Sequence, residues 1–197
     1  MGIASGPEDV IAVLVRDHRD IEDVFLELEH GATAPARRRH LVDTAISTLA
    51  RHTLAEERYL YPAVRRHLED GDPVADREIA EHAEAERLMK RLQGVEPTDA
   101  RFEPLVRELI ASVRGHVEGE EHGLLPRLRD ACARDELMEL GDKVRQFERN
   151  AERGAPDGHA YPPPHPGGPA RPAADPPEPP GTGMVDRLRD ALTGRGR

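Results

Sequence analysis

Six histidine and glutamate residues in this 197-residue chain have the types and spacing that metal binding inside a helical protein requires. They are His18, His52, Glu56, His82, His116 and Glu120. Each histidine lies on the apolar face of a predicted helix, and each glutamate follows a histidine by four residues on the same face. A single such histidine is usually an ordinary core residue with a hydrogen bond. Four imidazoles and two carboxylates are costly to bury without a cation, so the pattern predicts a metal centre.

These residues recur as two copies of one pattern. His18 and His52 are 34 residues apart, as are His82 and His116, and corresponding residues of the two halves are 64 apart. The segments EERYLYP (residues 56–62) and EEHGLLP (residues 120–126) share their paired glutamates, a leucine and a proline. Two helical hairpins related by a pseudo-twofold axis would bring equivalent ligands together. Two histidines and one glutamate from each half suit two ions bridged by the glutamates.

The repeat predicts a role for each ligand. His18 and His52 hold one ion, His82 and His116 hold the other, and the two glutamates bridge them. Glu86 follows His82 by one helical turn and is predicted to be a terminal ligand of the second ion, whereas its repeat equivalent, Glu22, is left out of the site. Nitrogen and carboxylate ligands without a thiolate favour iron or manganese, with zinc less favoured.

The order His, His-x3-Glu, His, His-x3-Glu over four helices resembles the hemerythrin-like HHE cation-binding domain family, and the LYP sequence ending at Pro62 is similar to that family's second-helix segment. The resemblance covers about residues 8–130. It implies a non-haem di-iron centre with two iron ions, in a family whose members handle oxygen, nitric oxide or peroxide, or sense iron. The six residues that open this section would be the ligands carried over by position.

The sequence departs from the oxygen-carrying members of that family at Glu86, where those members have a second histidine on the third helix. The fourth-helix carboxylate also follows its histidine by four residues instead of five. An anionic oxygen ligand stabilises the ferric state, so the resemblance implies oxidation by oxygen or peroxide in place of reversible oxygen carriage.

Two functions remain open at this level. The first is a di-iron enzyme that handles oxygen, peroxide or nitric oxide in oxidative or nitrosative stress, with the metal performing the chemistry because no separate catalytic residue is identified. The alternative is an iron- or oxygen-sensing or binding protein without turnover. Its small ligand would be a diatomic molecule or peroxide in either case.

Helices must position these ligands, and their apolar periodicity predicts an all-α, up-down-up-down four-helix bundle. The first predicted helix ends near Gly31, the second runs from Pro35 to Gly71, the third runs from Asp72-Pro73 to Gly94, and the fourth begins after Pro97-Thr98. An additional amphipathic segment covers about residues 134–152. Pro62 and Pro126 are expected to kink or end their helices. The bundle and its additional helix are predicted to occupy residues 8–153.

The C-terminal part has a different composition. Residues 154–183 contain 11 of the 18 prolines and 6 of the 17 glycines, which predicts a disordered linker. Residues 184–197 are predicted to be a short, arginine-rich amphipathic segment that could bind a protein partner or a membrane surface.

Composition excludes several classes of function. The net charge of −10 and the 3% aromatic content disfavour nucleic-acid binding and an all-β fold. No apolar run is long enough to span a membrane, and no signal peptide is evident, so a cytoplasmic location is expected.

Four residues near or off the predicted ligand faces receive less specific predictions. Tyr59 is expected to pack in the core or to hydrogen-bond to a ligand, Cys132 to act as a small hydrophobic residue, and His67 to be solvated. Glu57, like its repeat equivalent, is expected to point outward or to hydrogen-bond to a ligand.

Overall fold

The computed structural model describes residues 8–31 and 33–153, and these form a helical bundle with no β-strand among them. The α-helices are α1 (Val10–His30), α2 (Pro35–Ala55), α3 (Tyr61–His67), α4 (Gly71–Gln93), α5 (Phe102–Gly119), α6 (Leu125–Ala131) and α7 (Arg134–Arg153). A π-helical turn joins α2 to α3 and a second joins α5 to α6, so each pair forms one long helical rod. The predicted fold class is confirmed.

The π turns, Glu56–Leu60 and Glu120–Leu124, each directly precede a helix whose second residue is proline. Proline has no N–H to donate to the preceding turn. The helical path nevertheless continues past Pro62 and Pro126, because the wider turn before each of them accommodates the change in hydrogen-bond register.

The connection from α3 to α4 is tighter than the sequence predicts, because α4 begins at Gly71 and not at Asp72-Pro73. The Gly71 N–H donates to the Leu68 carbonyl over 3.1 Å. A Cβ atom at residue 71 would collide with the Val64 carbonyl oxygen, so this turn requires glycine.

The core divides into two apolar clusters with a polar layer between them. One cluster includes Phe25 and Phe102, and the other includes Leu60 and Tyr61. On α1, Ile21 belongs to the cluster of Phe25, Leu14 belongs to the cluster of Tyr61, and the buried His18 lies between them. The four-helix core therefore surrounds the layer that contains the predicted ligands.

Helix α7 covers one side of the bundle by packing on α1. Its apolar face is buried and consists of Leu137, Leu140, Val144 and Phe147. Among the described residues, none of the helices is both long and apolar enough to cross a membrane. The predicted linker and the predicted arginine-rich segment, residues 154–183 and 184–197, lie outside the described residues.

Candidate metal centre

The four core histidines form two pairs. The Nε2 atoms of His18 and His52 are 3.2 Å apart, and those of His82 and His116 are also 3.2 Å apart. Two nitrogens that each lie about 2.0–2.1 Å from one ion are roughly 2.9–3.4 Å apart at octahedral to tetrahedral angles. Each pair therefore has the spacing of two ligands to a shared metal ion.

Glu56 lies between the two pairs. Its Oε1 is 3.2 Å from Nε2 of His52, and its Oε2 is 3.3 Å from Nε2 of His82. The side chain is fully buried, and neither oxygen has a hydrogen-bond partner. A buried carboxylate with two such oxygens is strongly destabilising unless a cation compensates it, so Glu56 fits a bridging ligand.

Glu120 occupies the equivalent position from the other half of the repeat. Its Oε2 lies 3.5 Å from Nε2 of His18 and 3.9 Å from Nε2 of His116, again without a hydrogen-bond partner. Three overlapping groups of possible ligand atoms result, and within each group the atoms lie within 4.8 Å of one another. They are His18, His52, Glu56 and Glu120; Glu56, His82 and His116; and Glu78, His116 and Glu120. The residues present therefore fit a pair of metal ions.

A second layer of carboxylates faces the Nδ1 atoms of the histidines. The pairs are Asp17 with His52 at 3.8 Å, Glu57 with His82 at 3.4 Å, Glu81 with His116 at 3.0 Å and Glu121 with His18 at 3.0 Å. These four acids are two pairs of repeat equivalents, each 64 residues apart. A carboxylate facing Nδ1 favours the proton there and leaves the Nε2 lone pair for a metal ion.

The charges of the site favour a cation. Burial lowers the pKa of His52, but the negative charges of Glu56 and Asp17 outweigh this effect and hold that pKa well above its ordinary value. Burial lowers the pKa of His116, but a hydrogen bond to Glu78 and the charge of Glu120 outweigh burial and raise this pKa to about 9. Burial and the charge of Glu56 raise the pKa of Glu120. The carboxylates thus attract protons to positions that a metal ion would occupy.

Two residues that sequence reasoning missed make the site asymmetric. The Tyr61 hydroxyl lies 3.0 Å from Nε2 of His82 and donates to Oε1 of Glu120 over 3.3 Å. The buried Glu78 lies 3.2 Å from Nδ1 of His116. Their repeat equivalents are Leu125 and Leu14, so this hydroxyl and this carboxylate contact the His82–His116 pair and have no counterpart at the equivalent positions of the repeat.

A signal for each was present in the sequence. Glu78 precedes His82 by four residues and therefore shares its helix face. Tyr61 follows Glu56 by five residues, which places both on one face only across a π turn. Tyr59, which an uninterrupted α-helix would direct toward the site, instead packs its ring against Phe147 with centroids 6.0 Å apart.

Glu86 lies outside all of these groups of ligand atoms. It forms an ion pair with Lys90, with 3.1 Å between Oε1 and Nζ, and its side chain is 14% exposed. Its repeat equivalent, Glu22, pairs with Arg114 at 2.7 Å. The role of Glu86 as a terminal ligand stays a prediction. His30, His40 and His122 are exposed, whereas His67, which is predicted to be solvated, is half-buried.

A small cavity of about 20 Å³ adjoins the two histidine pairs. His52, His82 and His116 contribute to one wall, and apolar side chains such as Ile21 and Met89 line much of the remainder. This volume accommodates one water-sized molecule. The arrangement can therefore admit a small ligand to a largely dry space beside the metal ligands.

Comparison with known proteins agrees with the family resemblance of the sequence over the four-helix part of the chain. A family model described as Hemerythrin HHE cation binding domain matches residues 9–128. An uncharacterized hemerythrin-like protein of Schizosaccharomyces pombe is 24% identical over 180 residues, which are 91% of this chain and 84% of the yeast protein.

Two further matches cover less of the chain. A DNA nickase of Nostoc sp. is 30% identical over 123 residues, which are 62% of this chain, and the match spans 33% of the nickase. The crystal structure of a hemerythrin HHE cation binding domain-containing protein from Mycobacterium kansasii matches with a TM-score of 0.64 and 19% identity, over 73% of this chain and 86% of that one. At this identity the structural match shows a shared fold.

Proposed function

The chain belongs to the hemerythrin HHE cation-binding family, and from this premise we propose that its core holds a non-haem di-iron centre that reacts with oxygen, peroxide or nitric oxide. The geometry of Glu56 is the principal support. Its two oxygens face different histidine pairs at 3.2 and 3.3 Å, and neither has a hydrogen bond. An ion beside only one histidine pair would leave the other oxygen without a compensating charge, whereas an ion beside each pair would compensate both.

The chain's own residues then have separate tasks. His18 and His52 would hold one ion, His82 and His116 the other, with Glu56 and Glu120 between them. Bound iron would supply the redox chemistry and a coordination position for the small ligand. Imidazole and carboxylate ligands without a thiolate suit iron or manganese, and the family match favours iron.

The surroundings of the site support a small, reactive ligand. The cavity of about 20 Å³ has room for one molecule of about the size of oxygen, nitric oxide or peroxide. The Tyr61 hydroxyl, within 3.3 Å of Glu120 and 3.0 Å of His82, can hold a proton beside the second histidine pair. The apolar layers on both sides keep bulk water away and strengthen these interactions.

The test is anaerobic loading of the full chain with ferrous iron, followed by elemental analysis and exposure to oxygen, nitric oxide or hydrogen peroxide. We expect about two iron ions per chain, because the paired ligands repeat twice. Glu56→Gln should lose both ions, whereas His30→Ala, which alters an exposed histidine, should keep them. One tightly bound zinc ion without iron would contradict the dinuclear proposal.

Turnover separates the two functions that the sequence leaves open. A di-iron enzyme consumes many molecules of peroxide or nitric oxide per chain, and Glu56→Gln abolishes this consumption. A sensing or binding protein changes its optical spectrum once per chain and then stops.

A further inference from the structure

A second group of metal-ligating side chains lies where α3 and α6 end and α7 begins. His67 is the last residue of α3, Cys132 directly follows α6, and Glu136 lies in the first turn of α7. A nitrogen, a sulfur and an oxygen of these residues all lie within 4.8 Å of one another. None of the three belongs to the metal centre in the bundle core.

Within this group, a ring nitrogen of His67 and a carboxylate oxygen of Glu136 face each other. His67 Nε2 is 3.0 Å from Glu136 Oε2, yet this nitrogen is buried and the contact is not aligned as a hydrogen bond. Arg66 binds the other oxygen of Glu136 at 2.8 Å and so keeps Oε2 turned toward His67. A nitrogen and an oxygen that bind one ion tetrahedrally at about 2.0–2.1 Å lie roughly 3.3 Å apart, close to the observed spacing.

The internal repeat shows that the bundle does not need these residue types. The repeat equivalents of His67, Cys132 and Glu136 are Ala131, Leu68 and Asp72. Leu68 and Cys132 cap their helices with nearly identical backbone angles, φ −100° and ψ 139° against φ −103° and ψ 139°. A leucine therefore serves the same structural position, and the ligand set is particular to the second half.

We propose that His67, Cys132 and Glu136 form a separate site for a divalent ion of borderline softness, with Zn²⁺ the best match. Three protein ligands of types S, N and O leave a fourth position for water, as in other tetrahedral zinc sites. The Cys132 thiol loses its proton to the solvent when the sulfur binds the ion. The ion would link the ends of α3 and α6 to the start of α7.

The cysteine is poorly suited to a redox role. Burial and the charge of Glu136 raise the pKa of the Cys132 thiol, which disfavours the reactive thiolate in the absence of a metal. Cys132 is also the chain's only cysteine, so no disulfide can form within the chain. A bound metal ion would stabilise the Cys132 thiolate directly and so favour loss of the thiol proton despite the raised pKa.

Cobalt titration of the full-length protein tests the site, because Co²⁺ bound to a thiolate produces a charge-transfer absorption in the near ultraviolet. The core centre contains no cysteine and cannot give this band, whatever metal it holds. At saturation we expect the band to correspond to about one thiolate-bound Co²⁺ per chain, since the group forms one site and cobalt held by the core adds nothing to this band. Added Zn²⁺ should abolish the band by displacing cobalt, and Mg²⁺ should not.

Variants show whether the three residues act together. His67→Gln and Glu136→Gln should weaken cobalt binding by about tenfold or more, and Cys132→Ala should remove the band. His122→Gln, an exposed histidine whose Nδ1 lies 3.1 Å from the Glu118 carbonyl, is the matched control and should bind as the parent does. His67→Gln changes a half-buried residue at a helix end, so it remains informative if Cys132→Ala unfolds.

Two results would overturn the proposal. The first is a folded parent protein that shows no thiolate-to-cobalt band with excess cobalt. The second is a band of unchanged strength and affinity in both His67→Gln and Glu136→Gln, which would mean that Cys132 binds cobalt without its neighbours.

Discussion

The backbone N–H of Tyr61 donates to the carbonyl of Glu56, five residues earlier. This π-type bond places the phenol and the carboxylate on the same side of the rod, although an α-helix would separate them. The hydroxyl consequently reaches Glu120 and His82 at the asymmetric side of the centre. The equivalent turn in the second half presents Leu125, which has no hydroxyl.

Tyr61→Phe should retain iron and the fold, because the aromatic ring stays in the core while the hydroxyl alone is lost. We expect the rate of reaction of the iron-loaded protein with peroxide to fall about ten- to a hundredfold, the usual effect of removing a partner of a metal ligand. Stopped-flow absorption measures this rate. Tyr59→Phe is the control, because the Tyr59 ring packs against Phe147. Equal rates in all three proteins would exclude a role for the hydroxyl.

Glu86→His tests the predicted terminal ligand. If Glu86 binds the second ion, the substitution removes negative charge there, raises the reduction potential and slows oxidation of the ferrous protein by air. The rate of air oxidation at equal iron loading is the measurement. Glu22→His is the matched control, since Glu22 is the repeat equivalent and pairs with Arg114. Indistinguishable rates for the parent and Glu86→His would remove Glu86 from the site.

Stability without metal should fall as the pH rises from 6.5 to 9. The pKa of His116 is raised from 6.5 to about 9 in the folded chain. The stabilisation of the folded state by protonated His116 is therefore fully present below pH 6.5 and is lost as the pH approaches 9. Burial raises the pKa of Glu148 to about 8, which acts in the same direction. The melting temperature Tm of chelator-treated protein measures the effect.

Iron-loaded protein is the control for this pH series, because a coordinated imidazole takes up no proton at Nε2 and the slope should be smaller. Glu78→Gln should also reduce the slope by removing a negative charge that lies 3.2 Å from Nδ1 of His116. A Tm that is constant or rises over this range in chelator-treated parent protein would contradict the expectation.

Removing the metal should lower Tm. A free metal concentration about 100 times Kd stabilises the folded state by about 2.7 kcal/mol, or roughly 5–10 °C for a chain of this size. Thermal melts with and without a chelator give the difference. Deleting residues 154–197 should leave it unchanged, because all predicted ligands precede residue 154. A Tm that chelation does not alter would argue against a metal site in the core.

Gly141→Ala should displace α7 from α1. A Cβ atom at residue 141 would collide with the Glu8 carbonyl oxygen, and overpacking of this kind costs about 1–3 kcal/mol. Gly115→Ala is the control: no atom lies within 4 Å of its added Cβ, so alanine should stabilise the helix by up to about 1 kcal/mol. Urea unfolding of both variants measures the free energy of unfolding. Equal free energies of unfolding for Gly141→Ala and Gly115→Ala would show that α7 can move to accommodate the added methyl group without loss of stability.

The sequence alone determined the bundle and the six residues that its core brings together. Apolar side chains at helical spacing define which face of each helix is buried, and that face carries His18, His52, His82 and His116 in both halves of the repeat. A periodicity of 3.6 residues and an exact 64-residue repeat are properties of the chain itself, so they can be recognised before any contact between helices is known.

Only the tertiary structure decided which other side chains approach these residues. Tyr61 replaces Tyr59 beside the centre because a π turn shifts the register by one residue, which α-helical periodicity does not predict. The grouping of His67 with Cys132 and Glu136 depends on where three helix ends meet. Distances between residues far apart in sequence are set by the packing of whole helices, and the spacing along one helix carries no information about them.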